Sequence, residues 1–127
     1  LSIERRVTKF TIDRKKWLNG TVFRNEPDTA SLMRNEKGQM CCLGFYGAAC
    51  GLSARALTDK SDPSLVPGLP KEMHWLTQDD VPFGAVPSNA CYDLMNANDT
   101  FAYDDEEREE EVARLFAKRG IEVLFAG

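Results

Sequence analysis

The sequence predicts an α+β domain: a small, mostly antiparallel sheet that includes both terminal strands, with about three helices packed on it. Three observations lead there. Val7-Thr8-Lys9-Phe10-Thr11-Ile12 alternates apolar and polar residues with the period of a half-buried strand. Ile121-Glu122-Val123-Leu124-Phe125 reads as a second strand. Between them lie segments of helical character, the clearest over 105–119.

In chain order, Asp13-Arg14-Lys15-Lys16 follows the first strand. Trp17 and Leu18 then cover one edge of the core, and Asn19-Gly20 signals a turn. Residues 21–30 are polar, contain Pro27 and read as a loop. Ser31–Arg34 and Gln39–Cys41 form two short strands around Asn35-Glu36-Lys37-Gly38, a turn closed by a left-handed glycine. Cys42–Cys50 is a short helix, apolar on nearly every side and therefore buried. Gly44, Gly47 and Ala48 give it a small-residue flank, and Gly51 stops it. Ser53 caps a second short helix through about Thr58.

Residues 61–87 hold Pro63, Pro67, Pro70, Pro82 and Pro87, a density that breaks helices and central strands and predicts a long loop. Lys71–Leu76 pins that loop with a helical turn. Ser88 caps the next helix, which puts Cys91, Leu94, Met95 and Asn98 on one face and ends at Asn98-Asp99. The last helix carries Val112, Leu115 and Phe116 as its apolar stripe. Its acids come first and its bases last, as the helix dipole favours. Gly120 ends it. The expected core is Phe10, Ile12, Cys42, Leu43, Phe45, Tyr46, Leu94, Leu115, Phe116, Val123 and Phe125.

The 127 residues suit one domain, 1–127, large enough to bury a core without metal or disulfide support. No apolar run approaches the ~20 residues of a membrane helix. Leu1–Arg6 lacks the apolar segment of a signal peptide. The chain starts at Leu1 rather than Met, as it would if a few residues had been lost or replaced. Cys41, Cys42, Cys50 and Cys91 contain no C-x-x-C pair, and His74 is the one histidine. That predicts reduced thiols, which suit the cytoplasm, with no metal site and no cofactor. The net charge is −4. Residues 1–20 are basic and residues 104–127 acidic, so the two terminal strands attract each other if they are neighbours. The overall acidity makes a nucleic-acid partner the unfavoured choice.

A further pattern runs through these elements. It comprises Phe10-Thr11-Ile12-Asp13 with Trp17 and Gly20, then Gly38-Gln39-Met40-Cys41-Cys42-Leu43-Gly44-Phe45 and Ala49-Cys50-Gly51. It continues with Asn98-Asp99, Arg108-Glu109, Leu115-Phe116-Ala117 and Gly120-Ile121-Glu122-Val123. The chain resembles a family of small hypothetical proteins of tailed bacteriophages, with Met-Cys-Cys-Leu-Gly-Phe as the most specific string. The resemblance brings no activity and no catalytic residues. It implies expression in the cytoplasm of an infected bacterial cell. By analogy with other small phage proteins, it also implies a host or phage protein as the partner.

Three candidate sites follow. Cys41-Cys42 sits where a strand turns into a helix, and a helix N-terminus lowers a thiol's pKa. With His74 as base and Asp79 or Asp80 to orient it, this would make a small cysteine-dependent enzyme. The competing explanation is packing, since buried free cysteine is common. The second candidate is the acidic surface of Asp104, Asp105, Glu106, Glu107 and Glu110, continued by Glu109 and Glu111. It suits a basic partner groove, but dipole compensation with a solvated face is the favoured explanation, given the acid-first, base-last order. The third is the Pro-rich loop, where Trp75 and Phe83 either anchor a partner or fold back on the core. Asn98-Asp99 looks like a functional dipeptide, but helix termination accounts for it too. The expected function is a non-catalytic, phage-encoded protein–protein interaction module, with an inhibitor of a host defence or housekeeping complex as its specific form; the thiol enzyme, a small cysteine-dependent enzyme using Cys41 or Cys42, is the alternative.

Overall fold

The computed structural model describes residues 6–127. The signal-peptide reading of Leu1–Arg6 and the charges of Glu4 and Arg5 therefore fall wholly or largely outside the described residues. The chain forms β1 (Lys9–Asp13), α1 (Gly20–Asn25), α2 (Cys42–Ala49), α3 (Ala54–Leu57), β2 (Thr77–Asp80), β3 (Gly84–Pro87), α4 (Asn89–Asp99), α5 (Asp105–Ala117) and β4 (Glu122–Ala126). Single 3-10 turns occupy Arg14–Lys16, Pro63–Leu65 and Lys71–Leu76.

The expected sheet is corrected. β1 and β4 pair in parallel, with Phe10 opposite Val123 and Ile12 opposite Phe125. The antiparallel pairing lies elsewhere, in a separate two-stranded sheet of β2 and β3. The physical reason is that alternation identifies the buried face of a strand but not its direction. Parallel neighbours need a long crossover, and everything between Asp13 and Glu122 provides one. The turn after α5, with Gly120 at φ +73°, sends β4 back along that helix and into parallel register with β1.

Ser31–Arg34 and Gln39–Cys41 are not strands. Their backbones make isolated bridges instead, Trp17 with Met40 and Arg34 with Thr58. The turn between them forms as expected, with Gly38 at φ +81°. The loop expected over 21–30 begins as α1, because the Asn19 side chain accepts from the amides of Thr21 and Val22 and caps it. The helices thus exceed the three expected.

The core lies between the β1–β4 sheet, α2, α4 and α5. The Phe10 ring meets Phe116 edge-on at 4.9 Å and Tyr46 at 5.5 Å. Of the residues expected in the core, Leu115 and Phe125 are only half-buried; the others are buried. Trp17, Leu18, Met33, Leu57, Met73, Leu76, Val112 and Ile121 join them. Each fully buried side chain of this size contributes about 1.5–3 kcal/mol by leaving water. Among the described residues, the opposite charges of the two terminal regions meet in one ion pair, Arg14 to Glu109 at 2.7 Å. Both partners are partly exposed, so it contributes little.

Candidate functional site

Among the described residues, the β2–β3 hairpin carries the two most exposed large apolar side chains. Its base is held by one residue. Ser88 donates its backbone N–H to Leu76 O (2.9 Å) and its hydroxyl to Trp75 O (2.7 Å), while its oxygen accepts the Cys91 amide and caps α4. Its tip is Val81-Pro82-Phe83, and Gly84 at φ +81° returns the chain. Val81 is 88% exposed and Phe83 80%. Asp79 and Asp80 are exposed beside the tip. An ordered hairpin therefore presents a bulky apolar point with an acidic flank.

Trp75, which the sequence groups with Phe83, goes the other way. It packs against Tyr46 and Phe116 at 5.8 and 5.9 Å, donates its indole N–H to the Tyr46 hydroxyl (3.1 Å) and carries the Arg119 guanidinium over its ring at 4.9 Å. The two aromatics thus divide between core edge and projecting tip.

Cys41 and Cys42 lie under α4. Cys41 is the N-cap residue of α2 but makes no side-chain cap bond. The cap comes from α4 instead, where Asn98 Oδ1 accepts the Cys42 amide at 3.0 Å. Burial pushes the Cys41 thiol up to about 12, while the backbone amides of Gly44 and Leu43 pull it down by less. Burial also raises Cys42. The helix terminus thus fails to activate either thiol, because desolvation of the thiolate outweighs the dipole. His74 and Asp79 do come together, lining a cavity of about 420 Å³ with Pro63, Ser64, Val66 and Leu69. The lining contains no cysteine. His74 Nε2 donates to Leu69 O at 2.9 Å. Among the described residues, no group of three or more His, Cys, Asp or Glu side chains is placed to hold a metal ion.

Much of the acidic run has internal partners. Asp104 and Glu107 form a capping box, and Asp105 accepts the Thr21 hydroxyl at 2.9 Å. Glu109 pairs with Arg14 and Glu111 with Arg114. Glu106 and Glu110 are exposed and make no side-chain hydrogen bond or ion pair among the described residues.

The sequence reading missed the hydrogen-bonding roles of two buried polar residues. Asn98, 1% exposed, accepts the Trp17 indole N–H (2.8 Å) as well as the Cys42 amide, and donates to Leu18 O (2.8 Å). Arg108 is fully buried and donates to the carbonyls of Ala97 and Asn98 (2.9 Å each) and Tyr103 (3.2 Å). It thereby closes the C-terminal end of α4, whose last carbonyls lack helical partners. A signal for both was present. Asn98 shares the Cys91–Leu94 face, and Arg108 stands one turn before Val112 on the buried face of α5.

Comparison of the chain with protein-family models, curated proteins and solved structures finds no match.

Proposed function

We propose that this chain is a non-catalytic protein–protein interaction module that docks on its partner through the tip of the β2–β3 hairpin. The observation that carries the reading is the exposure of Val81 and Phe83 on an ordered hairpin whose base is tied to α4. A rigid aromatic anchor loses little entropy when it enters a pocket, and such residues dominate interface energies. Asp79 and Asp80 beside the tip, with Glu106 and Glu110 on α5, favour a partner with basic surroundings. The resemblance of Met40–Phe45 to small tailed-phage proteins supports a setting in the cytoplasm of an infected bacterial cell. An inhibitor of a host defence or housekeeping complex is the specific form to test first. No observation favours the cysteine enzyme, since the Cys41 and Cys42 thiols are buried and raised.

The test compares the wild-type protein with a Val81→Ala/Phe83→Ala variant as tagged baits in bacterial lysate, with mass spectrometry of what each retains. A protein held by the wild type and lost by the variant is expected, with unchanged thermal unfolding. Retention that is equal for both baits, or absent from both, overturns the reading.

A further inference from the structure

Asn98-Asp99 stands out in the sequence, and the hairpin reading leaves it unused. Asn98 is accounted for by its buried hydrogen bonds. Asp99 points elsewhere, into a cavity of about 390 Å³ lined by Phe23, Arg24, Pro27, Thr29, Ser31 and Phe101 as well as itself. Its volume lies within the range of small-ligand sites.

The walls of this cavity are held by close backbone contacts. A side chain on Gly20, at the start of α1, would overlap the carbonyl oxygen of Thr100 just beyond α4. One on Gly44, in α2, would overlap the carbonyl oxygen of Met33. α1, which brings Phe23 and Arg24, is thus pressed onto the end of α4, which brings Asp99. The segment that brings Ser31 is pressed onto α2. The cavity is preformed rather than assembled by its ligand.

On its floor, both Asp99 oxygens are within 3.0 Å of the Ser31 hydroxyl, and Oδ1 accepts the Asn98 side-chain N–H at 2.8 Å. A carboxylate has about four lone-pair sites, so acceptor capacity is left over. Burial raises the carboxyl, against the pull of Asn98, Ser31 and Arg108, so its charge is incompletely compensated. Phe23 is buried along the wall, and Phe101, 57% exposed, stands at the mouth. A carboxylate with spare acceptor capacity in one cavity with two aromatic side chains suits a cation with an apolar stem.

We propose that the cavity between α1 and the end of α4 binds a guanidinium or ammonium group on a short aliphatic stem, with Asp99 as its counter-ion and Phe101 as its aromatic wall. The Arg24 guanidinium, also on the lining, works against such a ligand. It is exposed and, among the described residues, held by one long bond to Phe101 O, 3.4 Å, so it can swing aside. Arg108 is turned to the backbone carbonyls of Ala97, Asn98 and Tyr103. This site is independent of the hairpin.

The experiment is a titration of the protein with butylguanidinium, followed by amide chemical shifts, with the uncharged isostere butylurea as control. Shifts at Phe23, Ser31 and Phe101 with butylguanidinium and not with butylurea are expected. Asp99→Asn should weaken the affinity about tenfold or more, the cost of a charge-assisted hydrogen bond. Phe101→Ala, at an exposed position, should weaken it about threefold. Arg24→Gln should tighten it, because a competing cation is gone. A peptide with one internal arginine separates the sources. Tighter binding than butylguanidinium assigns the site to a side chain of a partner protein, and weaker binding assigns it to a free amine or guanidine. Equal binding of butylurea, no shifts in the wild type, or weaker binding after Arg24→Gln overturns the proposal. Because Arg24 and Phe101 are exposed, those two variants decide the matter even if Asp99→Asn disturbs folding.

Discussion

The side-chain oxygen of Asn98 accepts a hydrogen bond from the Trp17 indole at 2.8 Å, joining residues 81 positions apart in sequence inside the core. The same oxygen takes the first free amide of α2, and the amide nitrogen satisfies Leu18. One side chain therefore registers the segment after β1, the start of α2 and the last turn of α4.

Replacing Asn98 by Ala leaves the Trp17 indole, the Cys42 amide and the Leu18 carbonyl without their partner. At about 1–3 kcal/mol for each buried polar group left unpaired, the variant should lose roughly 3 kcal/mol or more. Urea denaturation measures this. A midpoint equal to that of the wild type would show that water replaces all three bonds.

Gly44→Ala sets a methyl group against the Met33 carbonyl, a backbone atom that cannot turn away. A cost of about 1–3 kcal/mol or more is expected for such overpacking. Gly51→Ala, in open space but at φ +99°, should cost less, through backbone strain alone. Thermal unfolding of the two variants side by side checks the order.

Phe116 and Phe83 are the same residue type in opposite surroundings. Phe116→Ala empties a fully buried position among Phe10, Tyr46 and Trp75, and should cost about 3–5 kcal/mol. Phe83→Ala should change stability by about 0.5 kcal/mol at most. Chemical denaturation of both variants is the check. A large loss for Phe83→Ala would mean that the tip is packed rather than projecting.

Thiol labelling of the native protein should be slow. Burial pushes Cys41, Cys50 and Cys91 up to about 12, which leaves about one thiolate in ten thousand at pH 8. Cys50 is only half-buried and should react first; Cys42 and Cys91, with no exposed surface, should react last. Mass spectrometry after timed alkylation gives the order. Rapid modification of Cys41, slowed by His74→Ala, would instead revive the thiol enzyme.

Burial also gives Asp99 a pH signature. Its folded pKa lies above the ordinary carboxylate value, so the folded state favours the protonated form. Its contribution to stability is greatest below the unfolded pKa and is lost as pH rises through the folded one. Asp99→Asn removes that loss. The stability of the variant relative to the wild type should therefore rise as the pH climbs above the ordinary carboxylate pKa, and a difference that falls there would refute the assignment.

What the sequence disclosed follows from how local each feature is. Strand alternation gives the inward residues Phe10, Ile12 and Val123, and the caps at Ser53 and Ser88 mark real helix starts. The direction of β4 beside β1 depends on everything between them, so no local pattern reports it. The hairpin was hidden because proline density argues against strands, whereas Pro82 sits at the tip and Pro87 ends β3. Asn19 and Asn98 read as turn and helix-end residues by propensity, and their roles come from partners distant in sequence. Of the candidate residues, Phe83 could be singled out because it is an aromatic side chain in a Pro-rich stretch with no helical or strand period to bury it. The Asp99 cavity could not, since its walls come from α1, the segment at Ser31 and the end of α4.

The parallel pairing of β1 with β4 also constrains how the molecule is made. Lys9–Asp13 is synthesised early, yet its one strand partner, Glu122–Ala126, is separated from it by nearly the whole chain. While the ribosome is still translating the intervening helices, Phe10 and Ile12 have no neighbouring strand to close over them. The loop that must then shut is long, and loop closure of this kind slows the search for the native pairing. Until β4 emerges, the β1 edge stays open to other chains, so the helices packed against it must shield the nascent protein from aggregation.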